Sequence, residues 1–541
     1  MAKYKFENFG VMIDCSRNAV MSVDALKRYF TLLKKMGYNC VMLYTEDTYE
    51  VDGEPYFGYM RGRYSKAEMK ELDAFAASLG ISLIPCMQTL AHLDAAVRWG
   101  TIPVDYGNTL LTDDERSYEF IDHMFATLSE CFTSRKIHVG MDESFTLGRG
   151  KHLDIHGYES VDVIMKRHLA RVMEIAKKYD YELMIWSDMF FRGWNGGKYY
   201  APKTEMPKEY VEAFPESIIP VYWDYYSCDK QRYSDMLYNH SQLSNKTWFA
   251  GGAWSWRGFA PSNEYTLKSM IPALDACKEH KVKNVVMTMW GDNGGECSHF
   301  AQIPSLFYLS QYAKGVTDET VIKAKFKSLT GIDFDDFMKI DNANDLKGNE
   351  KGTDVNLPQC PSKYMLYSDT FNSFMDTATV SGGSEKYIKH AAELHAIAKT
   401  SRKYGYLFDT QAKLCDVLAI KYELGKNVRT AYAKGDKKEL RRLAEEDYAK
   451  VIKLVDVFAR AFEKQWFIEN KTCGFDVQDI RIGGLIRRLD ACRRRLLDYS
   501  KGNIGRIEEL EGELLPVLPG EPVGESITFP AYHLIATANR L

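Results

Sequence analysis

The chain has 541 residues, 45% of them hydrophobic and 27% charged, which is the composition of a globular protein and excludes wholesale disorder and a coiled coil. Lys and Arg number 70 against 74 Asp and Glu, so the formal net charge of −4 gives no basic footprint for nucleic acid. No apolar run approaches the ~20 residues that span a bilayer, MAKYKFENFG has no apolar leader core, and the eleven Cys are scattered without a CxxC pair. These features lead us to expect a reduced, cytoplasmic setting without membrane or nucleic-acid partners.

Taken in chain order, the first ~300 residues alternate between two periodicities. Short apolar runs rich in β-branched residues read as buried parallel strands; they fall at 9–14, 39–44, 81–87, 136–140, 182–186, 218–223, 247–253 and 284–290. Amphipathic stretches at 23–36, 66–78, 114–131, 161–178, 263–280 and 305–313 read as the helices between them, and are least defined after strands five and six. Eight β/α repeats imply an α/β protein with a closed (β/α)8 TIM barrel. No GxGxxG follows the first strand, which argues against a dinucleotide fold. The expected organisation is a catalytic barrel over 1–340, a polar linker or long loop over 341–361, and an α-helical C-terminal domain over 362–541. Within that last domain, long periodic stretches lie at 385–404, 409–433, 437–467 and 479–501, and 526–535 reads as a short strand.

A (β/α)8 barrel carries its active site at the C-terminal ends of the strands. Polar and aromatic residues crowd those positions: Asp14 to Asn18, Glu46 with Asp47, Gln88 and His92, Asp142 with Glu143, Trp186 to Asp188, Tyr222 to Tyr226, Trp254 to Arg257, and Trp290 to Asn293. Carboxylates supply acid and base groups, and flat aromatic faces pack against the C–H faces of a pyranose, so the ring suggests a carbohydrate site. Neighbours on a strand face opposite ways, so Asp142 and Glu143 share a site only if the strand breaks after Gly140. Two adjoining carboxylates also push their pKa values apart, leaving one ionised while the other holds a proton. There is no HExxH, few His lie at strand ends, and neither metal nor organic cofactor is expected.

The run His138-Val139-Gly140-Met141-Asp142-Glu143 resembles the H-x-G-x-D-E signature of glycoside hydrolase family 20, the exo-β-N-acetylhexosaminidases. Asp14-x-Ser16-Arg17 resembles the family's sugar-binding Arg, Glu46-Asp47 with His92 its supporting polar pair, Tyr222-x-Asp224 its Tyr-x-Asp, and Trp290-x-Asp292 its Trp-x-acid. The order holds to about residue 315, and the helical C-terminus resembles a bacterial subgroup with a barrel followed by helices. Two departures stand out: Met141 occupies a position where the common form has Gly, and the barrel begins without the α+β domain that many members carry before it.

The resemblance implies retaining, substrate-assisted hydrolysis of terminal β-linked GlcNAc or GalNAc, in which the 2-acetamido group attacks the anomeric carbon and forms an oxazolinium ion. Glu143 would be the acid and then the base, Asp142 would hold the acetamido N–H, and Tyr222, with Tyr225 as the alternative, would donate to the acetamido oxygen. Arg17 and Asp292 would hold sugar hydroxyls, Asp224 would bind substrate, and Trp186, Trp254 and Trp290 would wall the pocket. His92 with Asp47 would form a supporting relay. The partner would be a small oligosaccharide or glycoconjugate, with a homodimer through the C-terminal helices as a further expectation. The competing readings are a retaining glycosidase with a protein nucleophile, for which Asp224 or Asp292 could serve about 5 Å from Glu143, and a non-catalytic carbohydrate-binding barrel.

Overall fold

The computed structural model describes residues 4–346, 358–517 and 531–541. Eight parallel strands close into a barrel: β1 Asn8–Asp14, β2 Cys40–Tyr44, β3 Ser82–Cys86, β4 Lys136–His138, β5 Glu182–Trp186, β6 Ile219–Trp223, β7 Trp248–Gly252 and β8 Asn284–Met289. Each strand pairs with the next in sequence, and β1 closes the ring against β8 with Gly10 opposite Val286 and Met12 opposite Thr288. The strand interiors are mostly apolar because both faces are covered, one by the interior layers and one by helices, with polar residues such as Asn8, Lys136, Glu182 and Asn284 at strand starts. Val11, Met12, Val41, Met42, Ile137, Met184, Val286 and Met287 have no more than trace exposure, and each such burial contributes about 1.5–3 kcal/mol.

The helices follow from local signals as well as periodicity. Ser65 and Glu68 form a reciprocal capping box at the start of Lys66–Ser78, and Ser22 caps Val23–Met36, which ends on the left-handed Gly37. After β5 there are only short helices, Asp188–Trp194 and Lys208–Glu212, whereas a full helix, Lys230–Leu243, follows β6. A small antiparallel pair, Val104–Tyr106 with Thr109–Leu110, lies between β3 and β4 and has no counterpart among the strands expected from sequence.

The chain divides into two compact units. The first is Met1–Ala253, Thr266–Trp290 and Leu306–Thr317; the second is Trp254–Tyr265, Gly291–Ser305 and Asp318–Leu541. Helices Glu319–Thr330 and Phe334–Met338, placed with the barrel on sequence grounds, therefore group with the helical unit, as do the segments after β7 and β8. Within the second unit Lys363, almost fully buried, meets Glu296 at 2.6 Å, and Arg481 meets the other oxygen of Glu296 at 3.0 Å. Both cations also donate to the Asn293 carbonyl, at 3.1 and 2.9 Å.

The stretch 409–433 resolves into Gly405–Lys421 and Leu424–Ala433, and 437–467 into Lys437–Arg442, a π-helical turn at Leu443–Tyr448, and Ala449–Glu469. Periodicity is blind to both interruptions, since the apolar stripe runs on through them. The basic run of the last long helix makes ion pairs, Arg493 and Arg494 reaching Asp490 at 3.0 and 3.1 Å. Of the strand expected at 526–535, residues 526–530 lie outside the described residues and Tyr532–Ile535 is helical.

Candidate active site

β4 is the shortest barrel strand, and the turn at its C-terminal end builds the site. The ladder continues through Val139, whose N–H donates to Met184 O at 2.9 Å, and stops at Gly140, where φ turns to 72°. Met141 and Glu143 also lie in the left-handed region, at 69° and 50°. This is the break that the adjacent carboxylates required: a strand would separate their side chains, whereas this turn brings both to one imidazole. A methyl at Gly140 would overlap the Gln88 carboxamide, so glycine is demanded by space and by φ. Met141 at positive φ shows why glycine suits that position, and its side chain meets the local strain with full burial. Glu46 and His92, at 43° and 56°, are strained at the ends of β2 and β3 in the same way.

The Asp142 carboxylate is held on both oxygens. Gln88 Nε2 donates to one at 2.9 Å, and His92 Nε2 stands 3.2 Å from the other and 3.7 Å from Glu143. Burial pushes the Asp142 pKa up, but His92 and the Gln88 hydrogen bond outweigh it and hold the carboxyl below the usual range. Burial likewise drives His92 down, and the Asp142 charge more than offsets it, lifting the imidazole to about 9. Glu143 moves the other way, raised by burial and then by the negative charge of Asp142. Its side chain is 42% exposed, so the carboxyl with the raised pKa faces the open side of the site while the lowered one of Asp142 is more enclosed.

A third carboxylate supports the pair. Asp188, fully buried at the start of the short helix after β5, accepts the Glu143 N–H at 3.1 Å. Burial, then the charge of Asp142, raise its pKa to about 7. Arg192 Nε lies 3.8 Å away. A hydrogen bond to the backbone of Glu143 fixes the left-handed turn that carries its carboxyl.

Arg17 pairs with Glu46 at 2.7 Å, and its guanidinium carbon lies 5.9 Å from the Tyr44 ring centre. Tyr44 donates to the same Glu46 oxygen at 2.9 Å and receives Gln88 Nε2 at 2.9 Å, so one hydrogen-bonded chain links Arg17 to Asp142. Trp290 meets Tyr44 edge-on at 4.8 Å and lies 6.1 Å from Trp186, which in turn lies 4.2 Å from His138. Burial keeps His138 neutral, with its pKa pushed down to about 3. Trp186 and Trp290 thus form an aromatic group with Tyr44 and His138.

The structure corrects three expectations. Asp47 does not form a relay with His92: it is held by Arg61, whose Nη2 lies 3.1 Å from it, and Glu46 is the β2 carboxylate joined to Arg17. Tyr222 is buried toward the outer helices, stacked on His240 of Lys230–Leu243 at 4.7 Å, with its O–H donated to Asp224 at 3.0 Å. It is therefore not placed to donate to a substrate. Asp224 is fully buried as well, held by Arg232 at 3.1 Å and by the Tyr226 N–H at 3.1 Å, so it faces neither a sugar nor an anomeric carbon. Tyr225, the alternative donor expected from sequence, lies just beyond the strand end with its ring stacked on Trp223 at 5.6 Å and next to that of Tyr226. Trp254 and Asp292 belong to the second unit, where Trp254 stacks on Trp256 at 4.2 Å.

Gln88 and Asp188 stand at strand ends without a role expected from sequence, and Glu46 shares its expected place in the supporting pair with Asp47. The positional rule for barrels marks all three; what sequence withheld was which neighbour each would meet. Among the described residues no group of three or more His, Cys, Asp or Glu is arranged to hold a metal ion.

Comparison with known proteins finds two family models that match the chain. The model for the catalytic domain of glycosyl hydrolase family 20 matches residues 6–224, and that for the glycoside hydrolase 20C C-terminal domain matches residues 335–528. Hexosaminidase D of Bos taurus is 23% identical over 257 residues, covering 45% of this chain and 69% of that protein. Hexosaminidase D of Homo sapiens is 22% identical over 351 residues, covering 58% and 68%. Among solved structures, a family 20 exo-β-N-acetylglucosaminidase from Vibrio harveyi in complex with N-acetylglucosamine aligns at 14% identity and a TM-score of 0.45, over 60% of this chain and 58% of that one. With catalytic and C-terminal models of one family matched in order along its length, the chain belongs to glycoside hydrolase family 20.

Proposed function

We propose that the protein is an exo-acting β-N-acetylhexosaminidase that removes terminal, non-reducing β-linked GlcNAc or GalNAc by retaining, substrate-assisted hydrolysis. The observation that carries this reading is the pair of adjoining carboxylates with opposite pKa displacements, Asp142 lowered and Glu143 raised, on a turn that His92 approaches from one side and Asp188 holds from the other.

In the first step the carbonyl oxygen of the substrate's acetamido group bonds to the anomeric carbon. The bond from that carbon to the leaving group breaks, and the departing oxygen takes the proton of Glu143. Asp142 accepts the acetamido N–H and stabilises the positive charge of the oxazolinium. In the second step Glu143, now ionised, removes a proton from water, which opens the ring at the anomeric carbon and restores the configuration. Arg17 holds a hydroxyl of the terminal sugar, Trp186 and Trp290 wall the acetamido group, and Tyr225 donates to its oxygen. The retaining mechanism with a protein nucleophile finds no support at Asp224, whose carboxylate is spent on Arg232, Tyr222 and a backbone N–H.

A cyclic thiazoline analogue of the oxazolinium tests the mechanism. It should inhibit competitively, and more tightly than the sugar product, because transition-state mimics bind more strongly than ground states; inhibition no tighter than by product would refute substrate assistance. The same reading places the protein in a reducing compartment, supported by eleven free thiols, and native protein recovered outside the cell would contradict it. It also includes a homodimer through the C-terminal helices, where Val457, Phe467 and Ile480 are exposed. Sedimentation at the mass of a single 62.0 kDa chain would refute that element.

A further inference from the structure

Three aromatic rings stand exposed at the C-terminal face of the barrel, and none is used by the mechanism above. Tyr56 and Tyr59 come from the segment after β2, and Trp99 from the segment after β3; they are 47%, 40% and 36% exposed. Their ring centres are mutually close, Tyr56 to Trp99 at 5.9 Å, Tyr59 to Trp99 at 5.4 Å and Tyr56 to Tyr59 at 6.1 Å. Met60 beside them is 75% exposed. Large apolar side chains are seldom left grouped in water without a use.

The segments that carry the cluster are tied to the strand ends that flank the candidate site. Arg61, next to Met60, donates to the Ser16 carbonyl at 2.5 Å and to Asn18 Oδ1 at 3.1 Å while binding Asp47, so its segment is pinned to the ends of β1 and β2. Gly58 at φ 64° lies so close that a methyl there would overlap the Asp47 carbonyl oxygen. Phe57, buried between Tyr49 and Phe120 at 5.2 and 5.4 Å, anchors the segment underneath. On the other side, Trp99 follows His92 by one short helix, Asp94–Val97, and His92 touches Asp142. The rings are thus held on a rigid support at the rim of the site, which keeps low the ordering cost of using them.

We propose that Tyr56, Tyr59 and Trp99 form a platform for the leaving-group side of the substrate, binding the second and later sugars of an oligosaccharide. This deepens the hexosaminidase reading and rests on it. On that reading the terminal sugar lies beside Trp186 and Trp290, and the scissile oxygen lies at the solvent-facing Glu143. Everything beyond that oxygen must leave over the rim. Exposed indole and phenol faces suit the C–H faces of pyranose rings, and the tyrosine hydroxyls offer donors and acceptors to the sugar edges. The occupant is therefore a glycan longer than a disaccharide rather than a small aryl or alkyl glycoside.

The test compares Tyr59→Ala and Trp99→Ala with the wild type on two kinds of substrate: an aryl N-acetyl-β-glucosaminide with no sugar leaving group, and a panel of GlcNAc-terminated oligosaccharides of two to four sugars in β1,2, β1,3, β1,4 and β1,6 linkage. Both residues are exposed, and thermal melts check that the fold is intact. The wild type should gain kcat/KM from two sugars to three in at least one linkage. In that linkage the variants should raise KM roughly three- to tenfold at unchanged kcat, while the aryl substrate stays within about twofold. The proposal is overturned if no linkage shows the length gain, if both kinds of substrate lose activity equally, or if the substitutions change only the sedimentation coefficient, which would make the rings a contact between chains. Wild-type cleavage of the aryl N-acetylglucosaminide in the same experiment keeps the parent reading standing, so failure of the platform and failure of the activity are told apart.

Discussion

Asp142→Asn should reverse the ionisation of His92. In the native site Asp142 lies 3.2 Å from His92 Nε2, and the imidazole pKa rises from the ordinary 6.5 to about 9 despite burial. That rise corresponds to about 3 kcal/mol in favour of the imidazolium. The group titrates higher folded than unfolded, so its stabilisation is complete below pH 6.5 and disappears as pH climbs through about 9. Asparagine keeps the shape and removes the charge, leaving burial as the main influence, so the His92 pKa should drop below 6.5 and its linkage should change sign. Histidine NMR titration reads the pKa directly, and denaturant unfolding at pH 6 and pH 9 reads the linkage. The wild type should lose stability between those values, and the variant should hold or gain. Activity should fall by about 10² to 10³ in kcat, the usual cost of removing a group that faces developing charge. A His92 that still titrates near 9 in Asp142→Asn would refute the assignment of its charge to this pair.

Glu143→Gln should abolish cleavage of substrates with poor leaving groups while keeping partial activity on activated aryl glycosides, which need no acid. Because Glu143 is raised, the basic limb of kcat/KM should lie above the ordinary Glu value, and because Asp142 is lowered, the acidic limb should lie below the ordinary Asp value; initial rates across pH check both. Gly140→Ala should destabilise by about 2 kcal/mol or more, since it adds a methyl against Gln88 at a left-handed φ, and a lowered urea midpoint at unchanged m would register it. In the helical unit, Lys363→Met should cost about 3–5 kcal/mol by leaving Glu296 with one fewer cation in a buried site. Equal melting of variant and wild type would show that Arg481 alone satisfies that carboxylate.

The barrel was legible because each strand is a short apolar run bounded by polar residues, and that pattern survives without knowledge of tertiary contacts. The position of the site was legible for the same reason. The partnering of individual side chains was not. Glu46 and Asp47 are adjacent, and alternation cannot say which turns toward Arg17; the left-handed φ of Glu46 decides it. Tyr222 carries the expected motif, but the strand's alternation points it at His240, and only the neighbouring helix reveals that. Asp188 stood in view at a strand end, yet its bond to the Glu143 backbone depends on a turn that no periodicity encodes.

The central claim is that the substrate, and not the protein, supplies the nucleophile. Initial rates on paired aryl β-glycosides that differ only at the 2-position, acetamido against hydroxyl, test it most directly. The account predicts cleavage of the acetamido sugars alone, with that activity lost in Asp142→Ala. Comparable cleavage of the plain glucoside or galactoside would contradict it and require a carboxylate nucleophile on the protein.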